Sequence, residues 1–361
     1  MEPTKKLNAV VYCEGAFNTS NGKTAHGLVR HTRRYNVVAI LDSRHVGKDA
    51  GMVLDGKKAG MPIYADLENA ARAASGSGKE LTHFVIGLAP DGGRLPAPAK
   101  ESVMKAIRMG MNIDSGLHDF LSEDPEIAEL ADEHDVWVRD VRKPPPRRKL
   151  HFFSGKISEV ASLKVAVLGT DSAVGKRTTA WLLRDGLQAL GLKSELIGTG
   201  QTAWLQGAEY CIILDSLIND FVAGEIEHAV WSAWHDKKPD AIVVEGQGSL
   251  LNPAYPGGFE ILAAARPDVV VLQHAPARKE YDGFPGYPLH PLEKQIQAIE
   301  LISGKPVVAV AVNHENIPPK SIPGACREIT ERTGLPACDV LVSGAADLVR
   351  AVVPYMQKRV A

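Results

Sequence analysis

The chain has 361 residues, 45% apolar and 23% charged, with a formal net charge of -2. That length exceeds what one hydrophobic core comfortably organises, so two domains are expected. The near-neutral balance argues against a general nucleic-acid or membrane-surface binder, and no apolar run approaches a membrane span.

Residues 8–13 read as a buried strand, followed by the loop Glu14-Gly15-Ala16-Phe17 and a helix carrying Lys23, His26 and Arg30. A second strand at 35–42 ends in Asp42, and a third at 82–87 leads into Leu88-Ala89-Pro90-Asp91-Gly92-Gly93-Arg94. A helix over 97–110 precedes a short strand at 111–113. Apolar strands alternating with helices predict a parallel α/β sheet, here a Rossmann-like N-terminal domain over 1–145. No Gly-x-Gly-x-x-Gly follows the first strand, so a dinucleotide is not expected there. Met1 to Lys6 enter the first strand without a secretory apolar region, and Cys13, Cys211, Cys326 and Cys338 show no Cys-x-x-Cys spacing. Reduced thiols in a cytoplasmic protein are the expectation.

Asp140-Val141-Arg142-Lys143-Pro144-Pro145-Pro146-Arg147-Arg148-Lys149 marks the domain boundary. Consecutive prolines continue neither a helix nor a central strand, and the basic residues read as a solvated linker. Over 146–361, strands are expected at 164–169, 193–198, 210–215, 240–245, 268–273 and 306–312. Helices are expected near 176–190, 218–235, 290–302, 325–333 and 345–357. This rhythm predicts a doubly wound, mostly parallel sheet.

The most informative stretch is Thr170-Asp171-Ser172-Ala173-Val174-Gly175-Lys176-Arg177-Thr178, set between the apolar run 164–169 and a helix. Backbone N–H groups, the helix N-terminus and the lysine form a phosphate cradle, which makes the C-terminal domain P-loop NTPase-like. The Ser or Thr that ordinarily follows the lysine and binds magnesium is replaced by Arg177. Thr178 stands one position late, a rotation of roughly 100° on a helix. The added guanidinium favours anion binding that needs no metal, and no metal site is predicted.

Further candidates close other strands of this domain. Gly198-Thr199-Gly200-Gln201-Thr202 permits close backbone approach, with Gln201 and Thr202 offering polar contacts. Asp215 is expected to close strand 210–215, Glu245 heads Glu245-Gly246-Gln247-Gly248, and His274 ends the next strand. An acid or imidazole at that edge is a candidate general base. Arg278 and Lys279 are candidate carboxylate partners, and Asp282 to Pro288 reads as a lid-like loop. Lys23, His26, Arg30, Arg94, Ser115 and His118 are candidate ligand-facing groups of the first domain.

Together, Glu14-Gly15, Lys23-Thr24-Ala25-His26-Gly27-Leu28, Gly92-Gly93-Arg94-Leu95-Pro96, Ser115-Gly116-Leu117-His118, Arg142-Lys143-Pro144-Pro145, the phosphate loop, Gly198-Thr199-Gly200-Gln201-Thr202, Glu245-Gly246-Gln247-Gly248 and Gln273-His274-Ala275-Pro276 resemble one P-loop family, long catalogued as a domain of unknown function. Its characterised branch is the D-glutamate N-acetyltransferase, which works with a dehydrogenase/deacylase partner in D-glutamate catabolism. The resemblance spans nearly the whole chain. The phosphate loop is also similar to that of dethiobiotin synthetase, from which it departs at Ser172 and Arg177.

The resemblance implies acetyl-CoA-dependent acetylation of a D-amino acid, D-glutamate first. Coenzyme A would be held through its phosphates by the loop 170–178. Residue chemistry offers Glu245, Asp215 and His274 for the proton, and the Gly246-Gln247-Gly248 turn for the thioester carbonyl. Lys23, Arg94, Gln201, Thr202, Gln247, Arg278 and Lys279 are candidates for the substrate. The second hypothesis is an ATP- or GTP-dependent ligase or kinase of dethiobiotin-synthetase type, with Glu245 and Asp215 on Mg2+; the third is a nucleotide-sensing scaffold. A homo-oligomer, dimer or tetramer, is expected.

Overall fold

The computed structural model describes residues 7–357. Met1 to Lys6, read above as a start without a leader, lie outside the described residues. Contacts divide the chain into two compact units. The first comprises residues up to Pro144 together with Gln201–Ala208; the second comprises Pro145–Gly200 together with residues from Glu209 onward.

The first unit carries β1 (Leu7–Tyr12), β2 (Tyr35–Leu41), β3 (Ile63–Tyr64), β4 (His83–Ile86), β5 (Asn112–Ser115) and β6 (Val138–Asp140) in the order β3-β2-β1-β4-β5-β6. Every pairing is parallel, the doubly wound Rossmann arrangement. Its core gathers Val10, Val11, Ile40, Phe84 and Ile113, all fully buried. The helix Gln201–Gln206 joins this core through Leu205. Gln206 Nε2 donates to the carbonyls of Gly27 (2.8 Å) and His31 (2.9 Å), and the Arg34 guanidinium lies 3.8 Å from the Trp204 ring centre.

The second unit carries β7 (Leu163–Gly169), β8 (Ser194–Gly198), β9 (Tyr210–Cys211), β10 (Ala241–Glu245), β11 (Val269–His274), β12 (Val307–Val312) and β13 (Ala337–Cys338). Their order is β13-β12-β11-β7-β10-β8-β9, again parallel throughout. β7, β10 and β12 are buried along their whole length, as a sheet covered on both faces requires. The chain moves from one side of β7 to the other between β10 and β11, so the ends of these three strands form the switch-point crevice.

Several expected boundaries shift. The strand expected over 210–215 stops at Cys211, because β8 ends at Gly198 and offers no partner beyond it. Asp215 therefore does not close a strand; it lies exposed in the turn Leu214–Ser216. The helix expected over 345–357 is divided into Ala346–Val352 and Pro354–Gln357, with Pro354 at the interruption. Arg142, read as part of a solvated linker, is buried, and its Nε donates to Gly116 O at 2.7 Å. No helix among the described residues is long and apolar enough to cross a membrane.

Candidate active site

β7 leads straight into the phosphate loop, and β10 and β11, its two neighbours, end in Glu245 and His274. Three adjacent apolar strands thus deliver an anion cradle, a carboxylate and an imidazole to one edge. The loop turns through Ala173 at φ +53 and Gly175 at φ +105, the second a conformation that favours glycine, before the helix Lys176–Ala189 begins. Lys176 folds back across Gly169, where an added Cβ would meet its Cδ at 2.8 Å, and its Nζ donates to Asp171 O at 2.6 Å. Burial pulls the Lys176 ammonium down to about 8, opposed by the charges of Asp171 and Glu245.

Asp171 ties the phosphate loop to the loops after β10 and β11. Its fully buried carboxylate accepts from Ser172 N (2.7 Å), Asn252 Nδ2, Arg278 NH1 and Asp282 N, the last three at 2.8 Å. Arg278 also donates to Ser172 O (2.7 Å) and Glu315 (2.6 Å). Asn313, just past β12, holds Val174 O at 2.8 Å, and Thr179 Oγ1 donates to the Gln273 side chain. The cradle is therefore preorganised by the loops after β10, β11 and β12. Asn252, Gln273 and Asn313 were not singled out as site residues, though each is a polar residue at or just beyond the end of an apolar run.

Glu245 is buried, and its Oε2 accepts from Thr199 N at 2.9 Å. Burial raises its carboxyl above the ordinary range against the pull of Arg177, the Thr199 N–H and Lys176. The chain then passes so close to β7 that a Cβ on Gly246 would stand 2.4 Å from Val167 O, and one on Gly248, at φ +50, 1.7 Å from Tyr255 O. Gly246 N donates to Val167 O at 3.0 Å, and Gln247 Nε2 donates to Thr199 O at 2.9 Å. His274 Nδ1 and Thr170 Oγ1 are 3.0 Å apart. Burial, with Arg332 adding to it, drops the His274 imidazole to about 4, so it is neutral at neutral pH.

The other candidates fall as follows. Lys279 is exposed in the second unit, whereas Arg278 is committed to Asp171, Ser172 and Glu315. Lys23 and Arg94 are exposed in the first unit. Gln201 and Thr202 also belong to that unit: Thr202 Oγ1 lies 3.1 Å from Thr24 Oγ1, and Gln201 packs beside Gly116. Arg177 and Thr178 are half-buried in the first turn of their helix.

The described DUF1611 P-loop domain of unknown function matches residues 151–349, and the DUF1611 Rossmann-like N-terminal domain matches 43–144. A D-glutamate N-acetyltransferase of Tritonibacter scottomollicae is 31% identical over 275 residues, 74% of this chain and 80% of that protein. One from a Pseudoalteromonas species is 30% identical over 278 residues with the same coverage. A crystal structure of a DUF1611 family protein from Anabaena variabilis superposes with a TM-score of 0.87 at 28% identity, covering 97% of this chain and 100% of that one.

Proposed function

The chain belongs to the DUF1611 family, and on that premise we propose that it is an N-acetyltransferase moving the acetyl group of acetyl-CoA onto the amino group of D-glutamate. The names of the two relatives support the substrate. The observation that carries the chemistry is an anion cradle with Arg177 in place of the magnesium-binding hydroxyl, beside the buried carboxylate of Glu245. Coenzyme A would be anchored through its phosphates by the loop N–H groups, Lys176 and Arg177, with Lys176 exchanging Asp171 O for a phosphate oxygen.

Glu245 is the base that takes the proton of the substrate amine. Burial makes it a stronger base than an ordinary carboxylate, whereas His274, lowered to about 4, is a weak one, and Asp215 lies exposed in a turn rather than at a strand end. The thioester carbonyl is polarised from the turn after β10; since Gly246 N is committed to Val167 O, that role falls to the N–H groups of Gln247 and Gly248. Lys279 remains to meet a substrate carboxylate. The reading takes the enzyme to be a cytoplasmic homo-oligomer.

The test supplies the purified protein with acetyl-CoA and D- or L-glutamate and follows thiol release; a parallel reaction with ATP and magnesium follows phosphate release. Thiol release with D-glutamate is the expected result. Brisk ATP turnover without thiol release would overturn the proposal in favour of a ligase or kinase. Arg177→Thr separates the two again: it weakens coenzyme A binding under this reading and preserves or raises nucleotide turnover under the other.

A further inference from the structure

We infer that His314, held in place by Asp339, binds the 3′-phosphate of the donor and selects coenzyme A over dephospho-coenzyme A; the inference rests on the acetyltransferase reading. Both residues lie at the strand ends of the second unit, on the side of the phosphate loop away from Glu245. His314 is the second residue after β12, and Asp339 directly follows β13. His314 Nδ1 lies 2.5 Å from Asp339 Oδ2. A carboxylate accepts, so Nδ1 carries the hydrogen, and Nε2 of a side chain 39% exposed is left for a ligand. Asp339 is itself buried and fixed, its Oδ1 accepting from Leu341 N at 3.0 Å. The residues on either side of His314 are fastened to the cradle. Asn313 Nδ2 donates to Val174 O at 2.8 Å, and Glu315 accepts from Arg278, which also holds Asp171.

Strand spacing decides what this pair can reach. Neighbouring strands lie about 4.8 Å apart, so β12 ends about 14 Å from β10, with β7 and β11 between them. A group that moves a proton must come within hydrogen-bond reach of it, and at that separation His314 cannot serve the amine beside Glu245. It can serve the far end of the donor. Coenzyme A is an elongated molecule, and with its diphosphate in the loop after β7 its two ends point opposite ways. The thioester goes one strand across, to Glu245, so the 3′-phosphoadenosine goes toward β11 and β12. The diphosphate and the 3′-phosphate leave the same ribose, so the second anion falls close beside the first. His314, next in the chain to the residue that touches Val174, stands there. Protonated at both nitrogens, the ring donates Nε2–H to the phosphate while Asp339 balances its charge. Arg278, the neighbouring cation, is already spent on Asp171, Ser172 and Glu315. Leu341 and Val342, exposed apolar residues just past Asp339, offer surface to the adenine ring.

The experiment titrates wild type, His314→Ala and Asp339→Asn with 3′,5′-ADP and with 5′-ADP by calorimetry. In parallel it measures KM for acetyl-CoA and acetyl-dephospho-CoA with D-glutamate. Wild type should favour 3′,5′-ADP over 5′-ADP about 10- to 100-fold, the worth of one hydrogen bond between charged groups, and KM should show the same preference. His314→Ala should lose that preference through weaker binding of 3′,5′-ADP, with 5′-ADP bound as in wild type. Asp339→Asn still accepts from Nδ1 but no longer balances the imidazolium, so its preference should fall between the two. A wild type that releases thiol from both donors with equal KM overturns the inference alone. So does a His314→Ala protein that loses affinity for both nucleotides alike, because that is a structural role. An undiminished preference in Asp339→Asn overturns the part assigned to Asp339. A wild type that releases no thiol from either donor overturns the acetyltransferase reading and this inference with it.

Discussion

Asp171→Asn tests the preorganisation of the cradle. The substitution keeps the shape of the side chain and one acceptor oxygen, but it turns the other oxygen into a donor. Placed toward Arg278 NH1 and Asp282 N, each now 2.8 Å from Asp171 Oδ2, the new NH2 group faces two donors. Flipped, it faces Asn252 Nδ2 and Ser172 N instead. Removing one member of a buried ion pair costs about 3–5 kcal/mol. Arg278 retains Glu315 and Ser172 O and is 12% exposed at its side chain, which sets the expectation near the lower bound, about 3 kcal/mol. For a unit of about 200 residues this lowers the midpoint by about 6–12 °C. Calorimetry of the full chain supplies the number, and a cycle with Arg278→Gln supplies the coupling. The double variant should be more stable than the sum of the single effects by about 1 kcal/mol or more. A shift of less than 2 °C for Asp171→Asn, or single effects that simply add, would refute the hub as the element that holds the loop.

Three other outcomes follow from the same site. Glu245→Gln should lower kcat by about 100- to 10,000-fold with little change in coenzyme A affinity. In the wild type, the rate should rise with pH through a value above that of an ordinary glutamate, because burial raises the carboxyl and only its ionised form accepts the proton. Lys176, lowered to about 8, should make binding of 3′,5′-ADP weaken as pH climbs through that value; Lys176→Ala, titrated by calorimetry, should bind more weakly and lose this dependence. His274 falls from its usual 6.5 to about 4 on folding, so the unfolded chain binds more protons between those values and stability drops as pH falls through that window. The loss reaches about 3 kcal/mol, and urea titrations of His274→Asn at pH 7 and pH 4.5 should show it removed.

Most of the sheet cores could be read from the chain, because a parallel strand buried on both faces is an uninterrupted apolar run. Val165 to Leu168, Ile242 to Val244 and Val307 to Val312 have no other reading at that length. The strands that escaped notice, β3, β6 and β13, lie at sheet edges, as does the shortened β9. They have two or three residues each, too few to carry a period. The glycine-lysine loop, Glu245 and His274 were legible for the related reason that polar residues ending apolar strands stand out. The Asp171 hub was not, because its partners Asn252, Arg278 and Asp282 lie 81, 107 and 111 residues further along. The burial of Arg142 was equally hidden, since its carbonyl partner on Gly116 comes from another strand end of the same unit.

The short helix Gln201–Gln206 sets the timetable on which this protein is made. The N-terminal sheet leaves the ribosome early, yet Leu205, fully buried in its core, emerges more than fifty residues after Pro144. At a synthesis rate of about 5–20 residues per second, the first unit waits several seconds with that slot open and the Gly27 and His31 carbonyls unanswered. A fragment cut at the three prolines would inherit the same gap permanently. The most conspicuous seam in the sequence is therefore a poor place to divide the gene, and the two halves are not interchangeable cassettes.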